Sequence, residues 1–172
     1  MMTTILLTGM PGCGKEEFLK VALSHGFTVV RMGDVVREHA PANDGSIGEF
    51  ANAERQKHHP AIWAERTLLR TEGQRTIIDG VRSLDEVNYF QRELGSDLHI
   101  VAVHASPETR YQRLVSRARS DAPSSIEEFL ERDRRELGWG IGNVIAKAQV
   151  MLVNEGSIAD FQNKAEKTLS AI

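Results

Sequence analysis

The sequence predicts an α/β fold, a three-layer α/β/α arrangement around a central sheet of five parallel strands. Short apolar runs alternate with helical patterns along the whole chain, as in proteins whose parallel strands are joined by crossover helices. The 172 residues contain no internal repeat and no long linker rich in proline, glycine or serine. We therefore expect a single domain over residues 1–172.

Five apolar runs have the length and composition of buried strands. They lie at residues 3–8, 27–30, 76–78, 99–104 and 150–153. Between and after them, apolar residues recur three and four positions apart, which is typical of amphipathic helices. These patterns lie at residues 15–24, 33–39, 48–71, 84–94, 107–117, 126–137 and 157–169. Pro60 is expected to break the third of them into two helices.

A glycine-rich loop follows the first predicted strand and opens the first predicted helix. Its seven residues are Gly9, Met10, Pro11, Gly12, Cys13, Gly14 and Lys15. Their spacing, G-x-x-x-x-G-K, is that of a Walker A phosphate-binding loop. Glycine allows backbone N–H groups to turn toward phosphate oxygens, while the helix N-terminus and Lys15 add positive charge. The sequence therefore predicts that a nucleoside triphosphate binds here.

The residues that follow this loop are acidic. A Walker A motif normally ends in Ser or Thr, whose hydroxyl binds Mg²⁺, but this chain has Glu16 and then Glu17. Since a carboxylate also binds Mg²⁺, Glu16 is a candidate metal ligand, directly or through water. The alternative is a first-turn acid that points away from the phosphates. We group Glu17 with the nucleotide-binding residues of the same turn.

An aspartate ends the third predicted strand. An acidic residue at a strand tip beside a phosphate loop is the Walker B arrangement, in which the carboxylate holds Mg²⁺. Asp79 occupies this position. It is therefore the second candidate metal ligand.

Arginines are concentrated in one part of the chain. Between residues 110 and 135 they are Arg110, Arg113, Arg117, Arg119, Arg132, Arg134 and Arg135. A polar stretch at about 116–126 divides them, as a lid would, and an arginine-lined lid both supplies positive charge and excludes water from phosphoryl transfer. Arg113, Arg117 and Arg132 are the predicted catalytic members. The alternative is a solvated helix face paired with neighbouring glutamates.

Four segments carry a resemblance to a known family. They read GMPGCGKEEF from residue 9, MGDVVR from 32, IIDGVRSLDEV from 77 and VNEGS from 153. Together the chain resembles the adenylate-kinase-related P-loop proteins of archaea, a branch beside the nucleoside monophosphate kinases and dephospho-coenzyme A kinases. The resemblance spans nearly the whole chain. It implies a nucleotide-kinase-like P-loop NTPase fold with a short lid.

The resemblance also implies residues that bind the phosphate acceptor. In those kinases a G-D-x-x-R segment begins the acceptor helix, which corresponds to Asp34 and Arg37 here. An ion pair between these two, one helical turn apart, is the alternative. The kinases continue their third strand with D-G-x-P-R, whereas Arg82 comes one residue early and without the proline. Arg82 is therefore a candidate for phosphate binding, with a surface charge or a pair with Asp85 as the alternatives.

The expected activity follows from the same resemblance. It implies a Mg²⁺-dependent phosphotransferase that moves the γ-phosphoryl group of ATP to a nucleotide-type acceptor, a nucleoside monophosphate or dephospho-coenzyme A. The acceptor-binding insert is expected at about 33–73, and the turn at Asn154 is expected either to border the adenine or to be a simple turn. The alternative function is a P-loop ATPase or a nucleotide-dependent regulatory switch without a small-molecule acceptor.

Composition argues against other classes of function. The net charge is −3, so neither nucleic acid nor an anionic membrane is an expected partner. No apolar run approaches 18 residues, no signal peptide is evident, and the single cysteine suits a reducing compartment. We expect a cytoplasmic protein whose partner is a small-molecule phosphate acceptor. The sequence indicates no protein partner.

Overall fold

The computed structural model describes residues 3–41, 46–95, 97–117 and 122–172. They form a parallel five-stranded sheet in the order β2-β3-β1-β4-β5. The strands are β1 (Thr3–Thr8), β2 (Thr28–Arg31), β3 (Arg75–Asp79), β4 (Leu98–His104) and β5 (Val150–Val153). The helices within these ranges are α1 (Lys15–Ser24), α2 (Met32–His39), α3 (Ile47–Lys57), α4 (Ile62–Leu68), α5 (Leu84–Leu94), α6 (Pro107–Ser116), α7 (Ile126–Gly138), α8 (Ile141–Ala146) and α9 (Ile158–Ala171).

The register of the sheet brings three chain segments to one edge. β1 lies between β3 and β4, with Leu7 opposite both Asp79 and Val101. On the far side of β3, Arg31 is opposite Asp79. Because all five strands are parallel, their carboxyl ends meet at this edge, where α/β sheets bind ligands.

Apolar side chains cover both faces of the sheet. One core includes Phe18 of α1 and Phe161 of α9. The other includes Trp63 of α4, Phe90 of α5 and Val144 of α8. Burial on both faces explains why the strands read as near-continuous apolar runs rather than as alternating patterns. The three-layer α/β/α prediction is confirmed.

The predicted element boundaries agree with the structure to within two residues, except that the helical pattern expected to reach residue 71 ends at Leu68. One helix, α8, was not predicted. α8 is only six residues long, too short for a periodic pattern to be distinctive. It begins after Gly140, whose φ of +99° lies in the left-handed region, and it buries Ile141 and Val144. Among the described residues, no helix is long and apolar enough to cross a membrane.

The stretch predicted as a lid is described only at its two ends. α6 ends at Ser116, and the Ser125 hydroxyl accepts a hydrogen bond from the backbone N–H of Glu128 to cap α7. Residues 118–121, including Arg119, lie outside the described residues. The lid therefore stays a prediction.

Candidate active site

The glycine-rich loop has the backbone shape that its sequence predicts. Gly9 and Gly14 have φ angles of +149° and +100°, which residues with a side chain rarely adopt. Each is also in close contact with other parts of the chain. A Cβ at Gly9 would lie 2.4 Å from the carbonyl oxygen of Val103, and one at Gly14 would lie 2.2 Å from Nδ2 of Asn154. Both glycines are therefore required by conformation and by packing.

Two side chains from distant segments hold the loop from behind. Asn154 is buried, and its Nδ2 donates a hydrogen bond of 2.9 Å to the carbonyl oxygen of Cys13. Arg113 donates to the same oxygen at 3.5 Å and to the carbonyl oxygen of Asn154 at 2.9 Å. The Cys13 side chain is buried in the core under α1. Asn154 and Arg113 thus shape the loop through its backbone.

A cleft of about 200 Å³ lies beside the loop, and we call it the donor cleft. It is lined by Pro11, Gly12, Gly14, Lys15, Glu16, Asp79, Leu114, Arg117 and Arg132. The structure thus brings together five side chains that the sequence singled out from four separate segments. Lys15 donates a hydrogen bond of 3.0 Å to the carbonyl oxygen of Gly9, so its ammonium group is held over the loop.

Two further predicted nucleotide-site residues, Arg113 and Glu17, lie outside the lining of the donor cleft. The Arg113 guanidinium donates to the carbonyl oxygens of Cys13 and Asn154 and is not part of the lining of the donor cleft, so in this position it supports the loop. Glu17 lies on the side of α1 that faces α9, where it pairs with Lys20 at 2.7 Å and accepts a hydrogen bond from Gln162. Helix geometry explains the second case, because neighbouring residues diverge by about 100° around a helix axis. The hydrogen bond from Lys20 lowers the pKa of Glu17.

The two candidate metal ligands share an arginine that sequence reasoning missed. Arg31, the last residue of β2, donates to both carboxylate oxygens of Glu16 at 3.3 and 3.1 Å. Its Nε also lies 4.0 Å from Oδ2 of Asp79. Glu16 lines the donor cleft, which argues against the reading in which it points away. The clue in the sequence was the position of Arg31 at a strand end, beside the strand that carries Asp79.

Asp79 is electrostatically the most unusual residue of the cleft. Burial raises the pKa of its carboxyl group, although the positive charges of Lys15, Arg31 and Arg82 act in the opposite direction. Its Oδ1 is buried and has no hydrogen-bond partner within the described structure. A buried acceptor that lacks a partner costs free energy, so this oxygen is suited to a ligand that brings positive charge or a donor.

The carboxylates of the donor cleft fit Mg²⁺ held jointly with a phosphate. Over the described ranges, no cluster of three or more His, Cys, Asp or Glu side chains could hold a metal ion. Mg²⁺ is usually bound by one or two carboxylates, waters and substrate phosphates rather than by an all-protein cage. The unpartnered oxygen of Asp79, with Glu16 on the same cleft, meets that requirement.

A larger cleft of about 830 Å³ lies next to the first, and we call it the acceptor cleft. Its lining comes mainly from the predicted insert and from α7, and it includes Gly33, Val36, Arg37, Ser46, Ile47, Gly48, Ala51, Arg55, Arg82, Pro123, Glu128, Glu131, Arg132, Arg135, Glu136 and Trp139. Arg132 lines both clefts. A group in one cleft can therefore contact the same guanidinium as a group in the other.

The predicted acceptor residues are paired with acids in this structure. Arg37 forms an ion pair with Asp34 on the same helix, the alternative that the spacing left open. Arg82 donates to Glu136 at 2.8 Å, so the pairing with Asp85 is wrong and a residue of α7 takes its place. Glu136 is itself buried. A prediction from local spacing could not find a partner 54 positions away.

An aromatic ring also escaped the sequence analysis. Trp139 follows α7 and lines the acceptor cleft. The guanidinium carbons of Arg55 and Arg82 lie 5.7 and 5.8 Å from its ring centroid, within the range of cation–π attraction. An isolated tryptophan after a helix gives no sequence signal that distinguishes a cleft from a core position.

One arginine of the cluster connects the phosphate loop to α7. Arg110 is buried and pairs with Asp133 of α7 through two bonds, of 2.8 and 2.5 Å. It also donates to the carbonyl oxygen of Pro11, at 3.2 Å, and to that of Ala105. The phosphate loop is thereby tied to the helix that carries Arg132.

Comparison with known proteins agrees with this description. Residues 8–130, more than half of the chain, match the AAA domain family. The UPF0200 protein of Thermoplasma volcanium is 46% identical over 171 residues, which cover 96% of this chain and 95% of the relative. The UPF0200 protein of Methanopyrus kandleri is 43% identical, and the match covers 98% of this chain and 89% of the relative.

Solved structures share the fold at low sequence identity. A shikimate kinase from Bacteroides thetaiotaomicron superposes with a TM-score of 0.67 at 15% identity, covering 99% of each chain. A gluconokinase from Sinorhizobium meliloti 1021 gives a TM-score of 0.64 at 14% identity, covering 98% of this chain and 92% of the gluconokinase. The architecture is thus that of P-loop kinases. By its sequence, the chain belongs to the UPF0200 proteins within the AAA domain family of P-loop proteins.

Proposed function

We propose that this protein is a Mg²⁺-dependent phosphotransferase that moves the γ-phosphoryl group of ATP to a nucleotide-type acceptor, a nucleoside monophosphate or dephospho-coenzyme A. The observation that carries the proposal is the juxtaposition of two clefts that share Arg132. One cleft contains the phosphate loop, and the other is larger and lined by arginines. Direct transfer between two bound molecules requires this arrangement of neighbouring sites.

The donor cleft supports binding of a triphosphate. The first N–H groups of a helix lack intrahelical partners in general and, with the helix dipole, favour an anion. Lys15 lies at the start of α1, and Arg117 and Arg132 line the same cleft. Phosphoryl transfer is catalysed mainly by positioning and by charge that stabilises the transferred group. In the proposal these three side chains supply that charge.

Asp79 and Glu16 would hold the metal ion. Mg²⁺, when bound with ATP, supplies positive charge to the phosphate oxygens. Asp79 contributes a buried oxygen that has no partner among the described residues, and Glu16 contributes a carboxylate on the surface of the same cleft. In this assignment Arg113 and Asn154 support the loop from behind, as their bonds to the Cys13 carbonyl indicate.

The acceptor cleft supports a phosphorylated substrate that also carries a ring. Arg37 and Arg82 are candidates to bind its phosphate. Each now pairs with a carboxylate, and a phosphate, like a carboxylate, accepts charge-assisted hydrogen bonds from arginine. Trp139 offers a ring face in the same cleft. In the proposal the segment 33–73 is the acceptor-binding insert, and the stretch at about 116–126 is the lid.

The test is ATP consumption in the presence of Mg²⁺, measured alone and with separate acceptors. The panel is AMP, CMP, UMP, GMP, dTMP and dephospho-coenzyme A, with products separated by chromatography. Stimulation by one acceptor, together with the appearance of its phosphorylated product, is the expected result. The control is the Lys15→Ala variant, in which stimulation should disappear.

The second candidate function, an ATPase or nucleotide-dependent switch, is favoured by one observation. Glu16 takes the place of the usual Ser or Thr, and its carboxylate is paired with Arg31 rather than open to the cleft on all sides. Slow ATP hydrolysis that no acceptor of the panel changes would support this second function and contradict the first.

A further inference from the structure

The Glu16–Arg31 pair addresses a charge problem at the donor cleft. Glu16 lies directly after Lys15, at the first turn of the helix that begins the phosphate site. A carboxylate there repels the phosphate oxygens of a nucleotide, and this repulsion is strong at short range in a partly enclosed cleft. Some nearby positive charge is needed for this carboxylate and a polyphosphate to be neighbours.

Arg31 is placed to provide that charge. Its Nη2 lies 3.1 Å from one Glu16 oxygen and 3.3 Å from the other. Its Nε is 4.0 Å from Asp79. Arg31 approaches from the end of β2 and is not part of the described lining of the donor cleft. It therefore acts on the cleft through the two carboxylates.

The sheet fixes the position of the Arg31 backbone. Arg31 is the last residue of β2, paired in register with Asp79, and it is also the residue that precedes α2. Because pairing in the sheet holds the Arg31 backbone in register with Asp79, the guanidinium starts close to both carboxylates without a large further loss of backbone entropy.

We propose that Arg31 is a positioning residue of the donor site, a fixed counter-ion that neutralises Glu16 and so makes an acidic residue after the phosphate-loop lysine compatible with nucleotide binding. This inference rests on the proposed binding of ATP at the loop. It concerns a residue outside the Walker motifs. It also explains why Glu16 occurs together with an arginine at the end of β2.

The experiment is a double-mutant cycle on ATP affinity. Four proteins are compared, the wild type, Arg31→Gln, Glu16→Gln and the double variant, by equilibrium binding of ATP in EDTA and again with Mg²⁺. EDTA is informative because no metal ion can then replace the lost positive charge. Arg92→Gln is the matched control, since Arg92 is an exposed arginine of α5 whose partner is Glu93. Thermal unfolding of each variant reports whether the fold is retained.

We expect Arg31→Gln to weaken ATP binding in EDTA by about tenfold, because the unneutralised Glu16 carboxylate would repel the adjacent phosphates of ATP. The double variant should recover to within about threefold of Glu16→Gln, because the anion that needed neutralising is gone. Arg31→Lys should keep most of the affinity. The pair is well exposed, at 38% and 40% of the two side chains, so the loss should also shrink at high ionic strength.

Three results would overturn the inference while leaving ATP binding intact. The first is equal weakening in Arg31→Gln and in the double variant, which would mean that Arg31 contacts the nucleotide directly. The second is no change in Arg31→Gln. The third is loss of folding without a change of affinity in the folded fraction. If the folded wild type binds no ATP in either buffer, the proposed function itself fails, and the inference fails with it.

Discussion

The donor and acceptor clefts are built in different ways. The donor cleft is formed where parallel strands end, by the phosphate loop after β1 and by Asp79 at the end of β3. The acceptor cleft is formed by the faces of helices, chiefly α2, α3 and α7. Backbone geometry holds the first, whereas side-chain packing between separate helices shapes the second.

The charged groups of the two clefts also differ in whether they already have partners. In the donor cleft, Lys15 bonds only a loop carbonyl in the described structure, and Asp79 keeps an unpartnered oxygen. In the acceptor cleft, Arg37, Arg55 and Arg82 each have a carboxylate partner. A ligand in the donor cleft thus meets prepared groups, while one in the acceptor cleft must exchange or share existing ion pairs. Acceptor affinity is therefore expected to be weaker and more sensitive to salt.

The largest effect is expected at the phosphate loop. Lys15→Ala removes the full positive charge of the donor cleft that lies nearest the loop, and turnover should fall by at least about a hundredfold, with weaker ATP binding. The measurement is steady-state kinetics together with ATP titration. Lys20→Ala, on the same helix but paired with Glu17, is the matched control and should stay near wild type. Unchanged turnover in Lys15→Ala would show that the donor cleft is not the nucleotide site.

Asp79→Asn should reduce activity and raise stability at neutral pH. Because burial raises the pKa of Asp79, the folded state binds this proton more tightly than the unfolded state does. The stability that the group contributes is then present below its ordinary pKa of about 3.9 and is lost as pH rises through the raised pKa. Because asparagine is neutral at every pH, the Asp79→Asn variant does not lose this stability as the pH rises.

Two measurements check this prediction. Turnover should fall about 10- to 100-fold, the usual range for a changed metal-site partner. Thermal unfolding should show a higher Tm for Asp79→Asn at pH 7, with the difference from wild type shrinking as the pH is lowered toward 4. A difference that stays constant with pH would contradict the assigned burial of the charged form.

Removing the Arg110 contacts between the phosphate loop and α7 should lower the free energy of unfolding. Arg110→Ala leaves the Asp133 carboxylate without its two-bond partner and removes the bonds to Pro11 and Ala105. Breaking a buried ion pair in this way costs about 3–5 kcal/mol, measurable as a lower midpoint in urea unfolding. Arg117→Ala is the matched control, because Arg117 caps the C-terminal end of the same helix and is exposed. Its unfolding free energy should change by less than about 0.5 kcal/mol.

The smallest of these effects is expected in the acceptor cleft. Arg37→Ala should raise the acceptor KM by about tenfold, the loss of one charge-assisted hydrogen bond, with ATP affinity nearly unchanged. The loss is limited because in the wild type Asp34 already competes with the acceptor for the Arg37 guanidinium. Acceptor-dependent kinetics and ATP titration separate the two quantities. An equal loss of ATP affinity would place Arg37 on the donor side and remove the distinction between the clefts.

The sequence located the residues that line the donor cleft more completely than those that line the acceptor cleft. The loop spacing and the strand-end position of Asp79 are local signals, and the structure places both at the sheet edge. The partner of Arg82 is Glu136, and the ring beside it is Trp139. Both come from a helix and its end, more than 50 positions along the chain, so no local pattern could select them.

Arginine roles show the same division. The sequence grouped Arg113 with Arg117 as predicted catalytic residues, yet Arg113 donates to the carbonyl oxygens of Cys13 and Asn154 while Arg117 lines the donor cleft. Arg31 carried no motif at all and was found only by its contacts with Glu16. Composition and spacing identify where positive charge is concentrated, but the partner of each guanidinium depends on which helices pack together.

By itself, the sequence determined the α/β class, the order of its strands and helices along the chain, and the phosphate loop, because hydrophobic period and glycine spacing act over a few residues. Only the tertiary structure decided that Arg132 lines both clefts, that an oxygen of Asp79 is buried without a partner among the described residues, and that Glu16 pairs with Arg31. The physical reason is that ion pairs and burial depend on distances in space. Those distances are set by the register of the sheet and by helix packing.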